Sequence, residues 1–173
     1  MAQLTEAQIT DAAKKFLNGA TIKELKGITN EEMEAVYSLA FNYYRTGKFD
    51  EAEKLFDFLA LFDHLNAKFW MGVGAVRQVK KNYAGAVQAY GYASFLDLSN
   101  PKPQLHAAEC FLAQGDKRNA ASSLEALDRF CPKDTELGRE YRAKAAELRK
   151  LVGEEAFAAL AQEDEAQKDE KKV

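Results

Sequence analysis

Two histidines, His64 and His106, and two cysteines, Cys110 and Cys131, are the side chains best suited to bond-making chemistry in this chain. His106 and Cys110 stand four residues apart, so on a helix an imidazole could meet a thiol. A nucleophilic thiol also needs a site that stabilises the developing oxyanion, and nothing in the sequence resembles one. Neither histidine belongs to an HExxH motif or to a cluster with metal-ligand spacing, and the cysteines form no CxxC pair. There is no glycine-rich phosphate loop. Gly72-Val73-Gly74 lies inside a helical run, where small residues permit close packing. The expectation is a protein that is not an enzyme, with no metal and no cofactor. Its cysteines read as buried thiols in a reducing compartment.

A second set of residues has a different use. Tyr37, Phe41 and Tyr44 are spaced i, i+4, i+7 and form one stripe on a helix. Tyr43 and Tyr44 are neighbours, pointing about 100 degrees apart. If Tyr43 packs inward, Tyr44 faces elsewhere, so the stripe is surplus to the core face. Such tyrosine-rich surface offers large contact area with few rotors and suits an extended peptide. The competing expectation is that an N-terminal helix covers the stripe and makes it ordinary core.

The elements that position this stripe come from an internal repeat. Ala40-Phe41-Asn42-Tyr43-Tyr44 overlays Gly74-Ala75-Val76-Arg77-Gln78 and Ala108-Glu109-Cys110-Phe111-Leu112 at an offset of 34 residues each time. Gly47 then falls over Lys81 and Gly115, Ala52 over Ala86 and Ala120, Phe56 over Tyr90 and Leu124, and Leu59 over Ala93 and Leu127. This order of small, aromatic and large residues at that period marks tetratricopeptide repeats. The expected fold is all-α: a solenoid of three helix pairs over residues 33–66, 67–100 and 101–134. Val36, Leu39, Ala40 and Tyr43 should pack. Asp50, Asn66 and Asp116 should cap helices. Arg77 should pack its stem and send its head to solvent.

Residues 1–32 form an N-terminal helical segment with capping-box patterns at Thr5/Gln8, Thr21/Glu24 and Thr29/Glu32. Ile9, Ala13, Phe16 and Leu17 lie on its apolar stripe, either folded onto the first repeat or serving as a dimerisation surface. Residues 135–161 read as a capping helix, with Leu137, Tyr141, Ala145, Leu148 and Val152 on one side, a break at Gly153, and Phe157 and Leu160 adding a last turn. Residues 162–173 are charged or polar and read as a disordered tail.

The first helix of each pair lines the concave side of such an array. Positions equivalent to the aromatic stripe are Met71, Ala75 and Gln78 in the second repeat and Leu105, Glu109 and Leu112 in the third. Lys68 and Lys102 fall near the rim, and His106 lies beside the groove positions. These twelve residues are the expected peptide-binding set. The net charge of −3 supplies no field for nucleic acid or anionic lipid. No apolar stretch approaches the roughly 18 residues of a spanning helix, and the N-terminus has no basic region followed by an apolar run. The expectation is a cytosolic, soluble protein with no nucleic-acid or membrane partner.

The sequence resembles the class II chaperones of bacterial type III secretion systems, which guard translocator proteins. The resemblance covers roughly residues 19–131. It is carried by Tyr37-Ser38-Leu39-Ala40-Phe41-Asn42-Tyr43-Tyr44 with Gly47-Lys48-Phe49, by Asp63-His64 with Phe69-Trp70-Met71-Gly72-Val73-Gly74-Ala75, and by His106-Ala107-Ala108-Glu109-Cys110. It implies a non-catalytic cytosolic protein that holds one or two hydrophobic translocators in its groove, with aromatic pockets matching Tyr37, Phe41 and Tyr44. It also implies a homodimer formed through the N-terminal segment. An alternative role implied by the family is an adaptor for a transcriptional activator of secretion genes.

Overall fold

The computed structural model describes residues 5–170; of residues 8, 9, 12 and 163–170 the backbone alone is described. These residues form ten helices: α1 (Glu6–Leu17), α2 (Ile22–Lys26), α3 (Asn30–Arg45), α4 (Phe49–Phe62), α5 (Ala67–Val79), α6 (Tyr83–Leu96), α7 (Lys102–Ala113), α8 (Lys117–Phe130), α9 (Glu136–Val152) and α10 (Glu154–Glu170). No strand occurs among the described residues. The helices pair as α3/α4, α5/α6 and α7/α8, and each second helix packs against the first helix of the next pair.

Small residues set how closely the pairs approach. Ala40 and Ala108 are fully buried. A Cβ added at Gly74 would lie 2.5 Å from the Tyr90 ring, and one at Gly72 would lie 2.3 Å from the Phe56 ring. Helix α5 is therefore bare on two sides, so that a large ring from α4 and another from α6 can press against its backbone. Phe56, Leu59 and Val73 fill the first core cluster, while Leu124, Leu127 and Tyr141 fill the one near the C-terminus. Between them, Tyr90 packs with Ala86, Ala107 and Cys110.

The repeat also fixes the turns. Gly47 and Gly115 both take φ of 77°, and Lys81, at the same place in the second repeat, takes φ of 61°. A lysine thus occupies a left-handed position that glycine holds in the flanking repeats, where the missing Cβ removes the steric penalty. Helix caps follow the same register. Asn82 and Asp116 accept from the amides of Gly85 and Asn119, whereas Lys48, the equivalent residue at the start of α4, has no capping side chain. The expected cap at Asp50 is corrected: Asp50 lies inside the first turn and instead meets Lys80 Nζ at 2.6 Å. The caps at Thr21, Thr29, Asn66 and Asp116 form as expected. Of the Thr5/Gln8 pattern, the Gln8 side chain lies outside the described residues.

Other expectations differ from the structure. The Arg77 side chain stays a quarter exposed, but its head is not free: it pairs with Glu53 at 3.3 Å and Asp57 at 2.9 Å, both on α4. Leu39 is not a packing residue but is 46% exposed, because α3 turns Met33 and Ala40 inward instead. Leu137 is likewise exposed on α9, while Tyr141, Ala145 and Val152 are buried. The chain breaks at Gly153, and Phe157 and Leu160 of α10 pack on the last core cluster. Helix α10 then continues to Glu170, through most of the stretch expected as a disordered tail. Residues 171–173 lie outside the described residues.

Gly138 and Arg142 hold the C-terminal cap. A Cβ at Gly138 would meet the Pro132 carbonyl oxygen at 1.8 Å, so α9 starts directly beneath that backbone. Arg142 donates to the carbonyls of Asp128 and Cys131, and Arg149 pairs with Asp128 at 2.5 Å. At the other end, α2 docks on α4 through the ion pair of Lys23 and Asp63 at 2.8 Å, both mostly buried.

Candidate functional site

The first helices of the three pairs supply one face of the solenoid, and two adjoining cavities lie along it. The first holds about 400 Å³ and is walled by Tyr37, Phe41 and Tyr44 of α3 and by Met71 and Ala75 of α5. Lys68 and Lys102 stand at its edge. The second holds about 250 Å³ and shares Tyr44, Met71 and Ala75 with the first. It adds Gln78, Tyr90, His106 and Glu109.

The aromatic stripe is preorganised by its own stacking. The Tyr37 and Phe41 rings are nearly parallel at 6.3 Å, and Phe41 and Tyr44 follow at 6.5 Å. Phe41 remains 44% exposed. The principal packing partners of α3 are α4 and α5, and α1 packs against α2. Among the described residues the N-terminal segment therefore leaves the stripe open, contrary to the alternative in which it covers it. The division between packing and groove residues is less clean than the sequence suggests. Tyr37 meets Phe56 edge-on at 5.8 Å and Phe69 at 6.0 Å, and Tyr44 meets Phe49 at 5.9 Å. Each tyrosine has one side in the core and one side toward the cavity.

Lys68 is fixed over this wall. Its ammonium lies 3.8 Å from the centre of the Tyr37 ring, a cation–π contact, and pairs with Glu34 on α3. Burial raises the Tyr37 phenol above its ordinary pKa, so the ring stays neutral.

The second cavity is floored by a hydrogen-bonded chain spanning three helices. Tyr90 Oη donates to Gln78 Oε1 at 2.7 Å, and Gln78 Nε2 donates to Glu109 Oε2 at 3.0 Å. His106 Nδ1 meets the same carboxylate oxygen at 2.9 Å, and its ring stacks on Tyr90 at 5.5 Å. The hydrogen bond from His106 lowers the pKa of Glu109 against the opposing effect of burial, with a further contribution from Gln78. Glu109 is thereby held as a carboxylate.

Of the twelve residues expected to bind peptide, ten line these two cavities. Leu105 is corrected: it is 2% exposed and belongs to the core, because α7 rolls this position toward α8 and α9. Leu112 packs against the same cluster and lines neither cavity. Sequence reasoning missed Phe56, Gly72, Tyr90, Asp97 and Asn100. Phe56 and Tyr90 are buried core rings, yet Phe56, packed against Gly72, also lines the first cavity and Tyr90, packed against Gly74, the second. Asp97 and Asn100 come from the loop before α7, and the signal for them was the 34-residue correspondence of Asn100 with Asn66, the residue that caps α5.

Cys110 is fully buried, and desolvation pushes its thiol up to about 12, which keeps it protonated, the opposite of what a nucleophilic thiolate needs. His64 lies in the α4–α5 turn, where its carbonyl accepts from Trp70 Nε1 at 2.8 Å. No group of three or more metal-ligating side chains converges among the described residues, and no described helix is long and apolar enough to cross a membrane. On the N-terminal stripe, Phe16 is 55% and Leu17 83% exposed, and Ala13 is exposed. The Ile9 side chain lies outside the described residues.

Comparison with known proteins places this architecture. A tetratricopeptide-repeat family model matches residues 33–66 and 67–100. The chain is 40% identical over 114 residues to low calcium response locus protein H of Yersinia pestis, covering 65% of this chain and 68% of that protein. Among solved structures, it superposes with a TM-score of 0.78 and 33% identity on a type III secretion complex from Aeromonas hydrophila, covering 83% of this chain and 95% of the other. It also superposes on the Yersinia enterocolitica type III secretion chaperone SycD, solved with a peptide of the translocator YopD. That match has a TM-score of 0.67 and 33% identity, and covers 72% of this chain and 95% of the other.

Proposed function

This chain belongs to the tetratricopeptide-repeat chaperones of type III secretion translocators, and we propose that its two adjoining cavities hold an extended segment of a hydrophobic translocator. The observation that carries this reading is the stacked, half-open stripe of Tyr37, Phe41 and Tyr44 facing a cavity of about 400 Å³. A translocator carries membrane-inserting segments that aggregate, or insert in the wrong place, if left free. A rigid groove that binds one extended segment keeps the client soluble without folding it. Rigidity matters because the groove side then loses little conformational freedom on binding.

The chaperone acts in the cytosol before secretion and performs no chemistry on its client. Release comes from competition or from the secretion machine. The exposed apolar face of α1, with Ala13, Phe16 and Leu17, forms the contact between two copies.

The test is co-purification from the native cytosol. The unaltered chain should bring down an apolar, membrane-active secreted protein. The Tyr37→Ala/Phe41→Ala variant should lose it while circular dichroism keeps its helical signal. A variant that retains the client would place binding outside the groove. Recovery of a DNA-binding protein instead would favour the transcriptional adaptor.

A further inference from the structure

The two cavities differ in chemistry, and the difference restricts what a bound segment can carry. The first is aromatic, with Lys68, Lys102 and Asp97 among its lining residues. In the second, Glu109 is the one formal charge among the lining residues. Its Oε2 is saturated by Gln78 and His106. A carboxylate oxygen only accepts, so His106 Nδ1 carries the proton and donates. In the neutral ring Nε2 is then left as an acceptor. Among the described residues no donor reaches Glu109 Oε1 or His106 Nε2, and neither atom is enclosed without a partner. Both therefore keep access to solvent, on residues that line the cavity.

Two further donors near Glu109 are engaged elsewhere. Tyr90 Oη is spent on Gln78. Lys144 of α9 is close enough to influence Glu109, but its ammonium bonds Glu140 at 2.6 Å. With His106 neutral, the site offers two acceptors and one negative charge beside the Tyr44 ring, and no lysine or arginine is among its lining residues.

We propose that this second cavity is a subsite for a basic side chain of the client, with Glu109 Oε1 and His106 Nε2 as its acceptors and Tyr44 as its aromatic wall. This presupposes that the groove holds an extended client segment, whose apolar anchor fills the first cavity. The shared residues Tyr44, Met71 and Ala75 make the two subsites immediate neighbours, so both anchors come from one short stretch of client. Arginine fits best, because its planar guanidinium presents several donors at fixed angles and stacks on aromatic rings. Gln78 and Tyr90 are positioning residues that fix the rotamer of Glu109. An acidic client residue at this point would face Glu109 and be rejected.

The test uses the full chain and a phage-displayed library of random dodecapeptides. Bound sequences should pair an apolar anchor with an arginine or lysine at a fixed spacing. The best of them is then synthesised with arginine and with its neutral isostere citrulline. The citrulline peptide should bind about tenfold more weakly, as expected for loss of a charge-assisted hydrogen bond. With Glu109→Gln the same exchange should change binding less than about twofold, while the apolar anchor is still required. Equal binding of the two peptides to the unaltered chain overturns the basic subsite and leaves the groove intact; that comparison needs no variant to fold. An arginine preference that persists undiminished in Glu109→Gln also overturns it. Failure to enrich any peptide whose binding depends on Phe41 overturns the groove itself.

Discussion

Tyr37 belongs to the core and to the groove at once, which decides how the aromatic wall should be probed. Its ring packs on Phe56 and Phe69 while its other side faces the cavity. Tyr37→Ala should therefore lower stability as well as client affinity. Phe41 is 44% exposed and makes its ring contacts within the stripe. Phe41→Ala should leave stability within about 0.5 kcal/mol, the usual range for a surface position, but weaken client binding at least about tenfold. Paired denaturation and binding titrations on the two variants check this. Lys81 gives a second test at this scale. It adopts the left-handed conformation that Gly47 and Gly115 adopt in the flanking repeats. Lys81→Gly relieves about 1 kcal/mol of backbone strain but adds freedom to the unfolded chain, leaving a net gain of about 0.5 kcal/mol. A shift of the urea midpoint upward would register it.

Helix α5 is held from both sides, and each side predicts something different. Toward α6, Gly74 leaves no room for a Cβ beside Tyr90, whose ring is 1% exposed and hydrogen-bonded to Gln78. Gly74→Ala should cost about 1–3 kcal/mol through overpacking, despite alanine's better helix propensity, seen as a lowered melting temperature. Toward α4, Lys80 bridges Asp50 and Glu53, and Arg77 bridges Glu53 and Asp57. The hydrogen bond from Lys80 lowers the pKa values of Asp50 and Glu53 below their ordinary 3.8 and 4.5. Groups with depressed folded values stabilise fully above the unfolded values, and the stabilisation is lost as pH falls through the folded ones. Asp57 runs the other way: burial raises it despite Arg77, so protonating it relieves a small cost. Two depressed carboxylates outweigh one raised one. The melting-temperature advantage of the natural chain over Lys80→Met should shrink between about pH 6 and about pH 3.

The whole molecule is a solenoid whose two ends are closed by different means. The C-terminal end is sealed by α9 and α10, pinned by Arg142 and Arg149 on Asp128 and by the bare Gly138 under the Pro132 carbonyl. The N-terminal end is docked through α2 by Lys23 and Asp63, while α1 lies beyond it with Phe16 and Leu17 in solvent. An isolated chain gains little from an apolar helix held that way, which is what favours the proposed contact between two copies. Removing residues 1–20 should convert a dimer to a monomer in light scattering, with the client-binding groove unimpaired. A truncated chain that still dimerises would move the interface to another face.

The sequence by itself determined the repeat, and with it the helix pairs, the left-handed turns, most of the caps and the aromatic stripe on α3. All of these depend on local spacing: a helix face recurs every three or four residues and a repeat every 34. Only the tertiary structure decided what each face meets. It turned Leu105 into core although its register matched Tyr37 and Met71, because α9 and α10 pack beside the last pair and change the surroundings of α7. It gave Arg77 partners on α4, made Tyr37 and Tyr44 shared between core and groove, and closed Tyr90, Gln78, Glu109 and His106 into one chain. The two links of that chain that cross between helices join residues 12 and 31 positions apart, and the crossing of those helices depends on how rings settle against glycine backbones. No periodicity along one helix encodes that fit.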